Sequence, residues 1–314
     1  MSQVFLAPTT LDGGGLPTFE TPGLQMTWTV GGVTWDLLSG VSGVRLLRGV
    51  RGLSAPPEVH YRDTSPSVPG SRWRGSRTGE REAFWPILVS GGDGAAWVEH
   101  DRAWWAGLQP QKTGAWSVTD PFGARRSLTL RFQDDGDGAY SLDPVKARIA
   151  TYGLTFIAED PYWRGDPIVR SWTTGTSSDF FNGVSKAPPF NISVGSTIAT
   201  ATLTNPGDVD AWPIWTIYGP STAAELGLAG RLVTVPFTVA SGKALVVDTD
   251  PRVQTAYLYD ISGGALIDPT ERTGDLGTAD FAPIPPGASV PLALSLTGAG
   301  TIQSRIIPGY YRAW

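Results

Sequence analysis

The sequence has no cysteine, only two histidines and two methionines, and just four lysines against twenty arginines. Without cysteine there are no disulfides, no thiolate metal centres and no thiol nucleophile. Stability outside a cell would have to come from packing or assembly. His60 falls in a strand-like segment and His100 among Glu99 and Asp101 on a helical stretch, where it reads as a surface residue; neither has a matched nucleophile. Ser42, in Gly40-Val41-Ser42-Gly43, lacks the glycine two positions on that a nucleophile elbow requires. Long hydrophobic runs are also missing. None approaches the roughly 18 residues of a membrane span, so no membrane insertion is expected. The first fifteen residues, MSQVFLAPTTLDGGG, have neither a basic start nor a long apolar run, so no signal peptide is expected. The net charge of −5 argues against nucleic-acid binding.

What the chain does have is 39 glycines, 26 prolines and 13 tryptophans, with 41% hydrophobic residues, a mixture that favours short strands and tight turns over helices. A length of 314 residues fits about two domains. The boundary falls in FIAEDPYWRGDPIVRSW (156–172), where Asp160-Pro161 and Asp166-Pro167 prevent one strand or helix from running through. Tyr162, Trp163 and Trp172 make this a packed seam rather than a linker. The expected domains are 1–163 and 164–314.

In the first half, QMTWTVGGVTWDLL (25–38) is a hairpin turning at Gly31-Gly32. Its register sets Val30 opposite Val33, Trp28 opposite Trp35 and Met26 opposite Leu37, all on one face. Residues 64–79, TSPSVPGSRWRGSRTG, read as a long loop, the kind that is often functional. Between Arg45 and Glu82 lie eight arginines and four acids, a local excess of +4 that leaves −9 for the rest. Asp93 is a candidate N-cap for one helix over 95–108 whose tryptophans recur at helical spacing. The acidic run Asp134, Asp135, Asp137 and Asp143 lacks the spacing and distal glutamate of a calcium loop and reads as a turn. The second half reads as eight or so short strands, from 188–194 to 301–307, in a sandwich or jelly roll.

At Asn205-Pro206-Gly207-Asp208-Val209-Asp210-Ala211-Trp212-Pro213, followed by IWTIYGP, the sequence resembles the C-terminal domain of minor tail proteins from long-tailed phages of actinobacteria. The Asp160-Pro161-Tyr162-Trp163 seam, the Val247–Pro251 and Phe281–Gly287 runs and the terminal Tyr310-Tyr311-Arg312-Ala313-Trp314 agree with it. So do the Trp-rich hairpin, the Gly70-Ser71-Arg72-Trp73-Arg74-Gly75 arm and REAFWPIL (81–88). Together these resemble a distal tail protein. The resemblance implies a mainly β fold: an N-terminal β-sandwich-like ring domain with one helix and a long belt loop, then an outward-projecting galectin-like or jelly-roll sandwich. It further implies a ring, usually of six copies, in the virion at the tail tip and assembled in the host cytoplasm. The implied neighbours are the tail tube protein, the C-terminal end of the tape measure protein and the adjacent tail-tip protein.

The residues themselves fit such a role. Arg72, Trp73, Arg74 and Arg77 combine charge with an aromatic, types enriched at interface hot spots. A closed ring has heterologous interfaces, so a basic arm needs a different, acidic surface; Asp134, Asp135 and Asp137 are the candidate patch. The second reading is a carbohydrate-binding sandwich that touches host cell-wall glycan, with Trp172, Tyr218, Tyr257 and Tyr259 as stacking candidates. An enzyme is the weakest reading. The carboxylate pairs Glu159/Asp160 and Asp248/Asp250 could serve glycoside hydrolysis, but both lie at strand ends in turn-rich sequence. No catalytic residue, metal or cofactor is expected.

Overall fold

The computed structural model describes residues 23–136, 142–173, 196–198, 201–228 and 230–314. The strand expected at 188–194 lies outside them. The chain divides into two compact units. The first runs up to Gly165 and includes Tyr310–Trp314; the second is Asp166–Gly309. The division expected from the sequence, 1–163 and 164–314, therefore differs at its far end, where the last five residues return to the first unit.

The first unit contains β1 (Gln25–Val30), β2 (Val33–Asp36), β3 (Val44–Leu46), β4 (Glu58–Ser65), β5 (Val68–Thr78), β6 (Arg81–Ser90), α1 (Gly94–Ala106), β7 (Thr113–Thr119), β8 (Arg125–Asp134), α2 (Pro144–Ala147), β9 (Ile149–Ala158) and β10 (Trp163–Gly165). The hairpin register is as expected: Trp28 faces Trp35, Val30 faces Val33, and the Leu37 N–H donates to the Met26 carbonyl. Gly31 and Gly32, at φ 58° and 83°, supply the left-handed backbone of that turn. Five of the six apolar side chains are buried; Val33, at the turn, is 54% exposed.

The main sheet has the order β2-β1-β7-β8-β9-β6-β3, with β10 joining beside β8. Three strands separate β1 from β6, yet the rings of Trp28 and Trp85 are 5.2 Å apart and edge-on. The sheet therefore curls over and faces itself. Trp116 lies 5.0 Å from both Trp85 and Trp163, and Phe156 is 4.3 Å from Trp85. Each such aromatic pair adds roughly 0.5–1.5 kcal/mol beyond its buried area. Gly114 permits this packing. A Cβ there would come within 2.4 Å of the Trp28 ring. Gly114→Ala is expected to destabilise the unit by about 1–3 kcal/mol, read as a lower urea midpoint; an unchanged midpoint would contradict the packing described.

Helix α1 starts where Asp93 accepts a hydrogen bond from the Ala96 N–H, the expected N-cap. It buries Trp97 and Trp104, and Trp35 meets Trp104 edge-on at 5.6 Å. His100 is not a simple surface residue. Its ring covers Gly43, and Nδ1 is 2.7 Å from the Ser90 carbonyl oxygen. The short α2 is a second helix that the sequence reading did not anticipate.

The second unit adds β11 (Ile168–Thr173), β12 (Ser196–Thr197), β13 (Thr202–Thr204), β14 (Ile214–Tyr218), β15 (Ala223–Leu228), β16 (Arg231–Val235), β17 (Lys243–Asp248), β18 (Thr255–Ser262), β19 (Ala265–Glu271), β20 (Ser289–Pro291), β21 (Ser295–Thr297) and β22 (Thr301–Ile306). It is a β-sandwich. A seven-stranded sheet, β12-β11-β22-β14-β17-β18-β19, packs against the three-stranded sheet β16-β15-β21. Alternate residues Trp215, Ile217, Leu245, Val247 and Ile302 of the larger sheet meet Leu226, Val233 and Val235 of the smaller. The last strand, β23 (Gly309–Tyr310), leads back to the first unit, where it joins β10.

Candidate assembly interface

The stretch expected to be a long loop, 64–79, is the tip and second strand of a β-hairpin, whose first strand covers the strand-like segment around His60. Strands β4 and β5 pair only with each other. Every residue of β4, and all of β5 except Gly75 and Thr78, is exposed. Trp73 is 61% exposed and Tyr61 52%. Residues 64–79 do not read as a strand because neither face of the ribbon is buried, so they show no apolar alternation. Pro66, Pro69 and Gly70 then made it look irregular.

The ribbon is tied down at its base. Tyr162 Oη donates to Thr78 Oγ1 at 2.8 Å, Thr78 Oγ1 to Glu58 at 2.5 Å, and the Gly79 N–H to the Pro57 carbonyl. A bulge at Arg74 shifts the register, so that Tyr61 stands opposite Gly75 and Arg62 opposite Trp73. Arg74 instead pairs with Asp63 at 2.5 Å. The Trp73 indole N–H donates to His60 Nδ1 at 3.4 Å and fixes the ring over that face. Arg72 and Arg77 stand opposite Asp63 and Val59. The four candidate residues are thus brought together on one projecting element.

Of the acidic candidates, Asp134 accepts from the N–H groups of Asp135 and Gly136 in an exposed turn. Asp137 lies outside the described residues. Among the stacking candidates, Trp172 is corrected: it is 1% exposed and packs against Trp215 at 6.4 Å, because it faces inward opposite Ile302. Tyr218, Tyr257 and Tyr259 are partly exposed, on the opposite face of the same sheet.

The carboxylates of the two pairs have partners within the chain. Glu159 takes two hydrogen bonds from Arg131, which hold its carboxyl below the usual range. Asp160 pairs with Arg164 at 2.6 Å, Asp250 with Arg252 at 2.7 Å, and Asp248 accepts from the Asp250 N–H. Among the described residues no group of three or more His, Asp or Glu could hold a metal ion. None of their helices is long and apolar enough to cross a membrane.

Sequence reasoning missed Arg81. It is 2% exposed, and its guanidinium donates to the carbonyls of Pro161 (2.6 Å), Gly52 (2.8 Å), Ser54 and Tyr311 (3.0 Å). Burial pushes its pKa down to about 10, opposed by Asp160 and Tyr162, so it stays charged at neutral pH. Arg126 adds a second anchor for the returning segment, lying 3.7 Å over the Tyr310 ring and donating to the Arg312 carbonyl.

The chain thus combines a curled sheet that carries an exposed ribbon with a following β-sandwich. Its counterparts are phage tail proteins. The Dit protein (gp 19.1) of phage SPP1, described as a paradigm of hub adsorption apparatus in phages infecting Gram-positive hosts, superposes with a TM-score of 0.60 at 15% identity, over 89% of this chain and 98% of that one. A chain of the phage P2 baseplate, in its activated conformation with calcium, gives 0.54 at 10% identity, over 91% and 98%. The fold is therefore that of the Dit-like distal tail proteins. In sequence, the minor tail protein Gp27 of Mycobacterium phage L5 is 25% identical over 203 residues. That match spans 60% of this chain and 60% of the relative's length. No family model matches.

Proposed function

We propose that the chain is a structural virion component, a distal tail protein whose copies close a ring between the tail tube and the tail tip. The observation that carries this reading is the ribbon of β4 and β5. A lone two-stranded hairpin is marginal in water, and this one leaves Trp73, Tyr61 and four arginines uncovered. A second copy supplies the missing surface. A basic ribbon leaving its own sheet fits a heterologous, closed interface, with Asp134 and Asp135, and Asp137 beyond them in sequence, as the acidic partner. In this reading the ring has six copies, and its neighbours are the tail tube protein, the end of the tape measure protein and the next tail-tip protein. The first unit faces the tube, the second projects outward, and no reaction is catalysed.

The test is light scattering after gel filtration over a range of concentrations. Wild type is expected to associate towards a hexamer. Arg72→Glu with Arg74→Glu is expected to weaken association at least about tenfold, the loss of about 1.4 kcal/mol. Association that is unchanged in the double variant would falsify the role of the ribbon.

A further inference from the structure

The outward face of the seven-stranded sheet carries a pattern that the assembly role does not use. Inward residues of β14 and β22 are Trp215, Ile217 and Ile302, so Thr216, Tyr218, Thr301 and Gln303 point the other way. The pairing aligns them into rows across four strands. One row is Thr301, Tyr218, Ala244 and Tyr259. The next is Gln303, Thr216, Val246 and Tyr257.

Six of these eight side chains end in a hydroxyl or an amide, and none is charged. Charge begins at the edges: Glu271 of β19 stands beside Tyr257, and one row further on Arg305 and Asp248 face across Ile214. Fully buried Ala244 is the small residue between Tyr218 and Tyr259. With strands about 4.8 Å apart, the two tyrosine backbones stand about 10 Å apart with only a methyl group between them. Tyr257 lies beside Tyr259, ring centres 6.4 Å apart. Opposite Tyr259 the ladder to β19 breaks: Leu258 faces Thr270 and Asp260 faces Ile267. The extra residues there include Asp268, held at φ 50°. Such bulges re-aim the side chains beside them.

We infer that this face binds a neutral carbohydrate, with Tyr218 and Tyr259 stacking on sugar rings and the partly exposed Thr301 and Gln303 meeting hydroxyl groups. An anionic ligand would find no cation in the two rows. A protein partner would find tyrosine but none of the Trp, Phe, Met or Arg anchors also enriched at interface cores. Partly exposed tyrosines with neutral donors and acceptors match a polyol, which offers apolar C–H faces and many hydroxyls.

The experiment is saturation-transfer NMR on the full chain with short neutral gluco-, manno-, galacto- and arabino-oligosaccharides. Transfer to at least one series is expected. Tyr259→Ala and Tyr218→Ala should each weaken it about tenfold, as losing a stacked ring implies. Tyr61→Ala, on the ribbon, should leave it unchanged. Near-ultraviolet circular dichroism checks that the variants fold, and Tyr259→Phe, which keeps the ring, should retain binding. No transfer to any series overturns the inference, as does transfer that survives both alanine substitutions. Because Arg72 and Arg74 are not part of this face, loss of ring assembly and loss of sugar binding can be told apart.

Discussion

Arg81→Met is expected to destabilise the first unit by about 3–5 kcal/mol. Arg81 opens β6, and four backbone carbonyls converge on its guanidinium: those of Gly52, Ser54, Pro161 and Tyr311. These groups belong to a loop, the seam and the returning segment, none of which has a ladder of its own there. Methionine fills much of the volume but donates nothing, so four acceptors lose their partner in a site that water scarcely reaches. Each unsatisfied buried group costs about 1–3 kcal/mol, and relaxation recovers part of the sum. Arg81→Lys separates charge from shape. An ammonium keeps the charge but cannot present a planar fork to four carbonyls, so most of the loss should remain. Chemical denaturation followed by the near-ultraviolet signal of the tryptophan cluster measures both. A lysine variant as stable as wild type would mean that charge, rather than the fork, holds the site. A stable methionine variant would mean that the carbonyls find other donors.

What could be read in the sequence was what neighbouring residues decide. Gly31-Gly32 sets the register of the first hairpin because a two-residue turn leaves one pairing. Asp93 marks the start of α1 because an N-cap acts within three residues. Asp160-Pro161 marks the seam, since two Asx-Pro steps stop any regular element. The reasons these sites are fixed lie further away. The Pro161 carbonyl is held by Arg81, and no local pattern connects residues 80 positions apart. Trp172 reads as a stacking candidate because it is an aromatic of a β-sandwich. Its inward direction is set by pairing with Ile302, and that strand comes 130 residues later. The candidate ribbon was found by composition, through its arginines and tryptophan, and mistaken in form because a strand with two wet faces has no period to detect.

Asn205→Asp is expected to be among the most damaging single-atom changes in the second unit. Asn205 is fully buried and heads the Asn-Pro-Gly turn. Its Nδ2 donates to the carbonyls of Val209 (2.8 Å), Ile284 (2.9 Å) and Pro285 (3.3 Å), while Oδ1 accepts from the Gly207 N–H at 2.9 Å. One carboxamide thereby fastens the 205–213 loop to the 284–285 segment, beside the small core of Leu203, Ala211, Ile284 and Ile306. The turn is packed so tightly that a Cβ on Gly207 would come within 2.7 Å of the Gly309 carbonyl oxygen. A carboxylate of the same shape reverses the chemistry. It would turn an oxygen towards three carbonyl oxygens, all acceptors, in a fully buried site, and so would fold with a proton bound or not at all. The expected loss at neutral pH is about 3 kcal/mol or more. The sign with pH follows from linkage. The buried acid has a folded-state pKa above its unfolded value, so it binds more protons folded than unfolded, and stability falls as pH rises between the two. Asn205→Asp should therefore recover part of its loss on acidification towards the unfolded carboxyl value near 4, relative to wild type under the same conditions. Asn205→Ala removes the bonds without adding charge and should lose about 2–3 kcal/mol without this added pH dependence. Denaturation of the three proteins across that pH range measures the difference. A variant difference flat with pH would show that the aspartate is solvated, and that the turn opens rather than burying its charge.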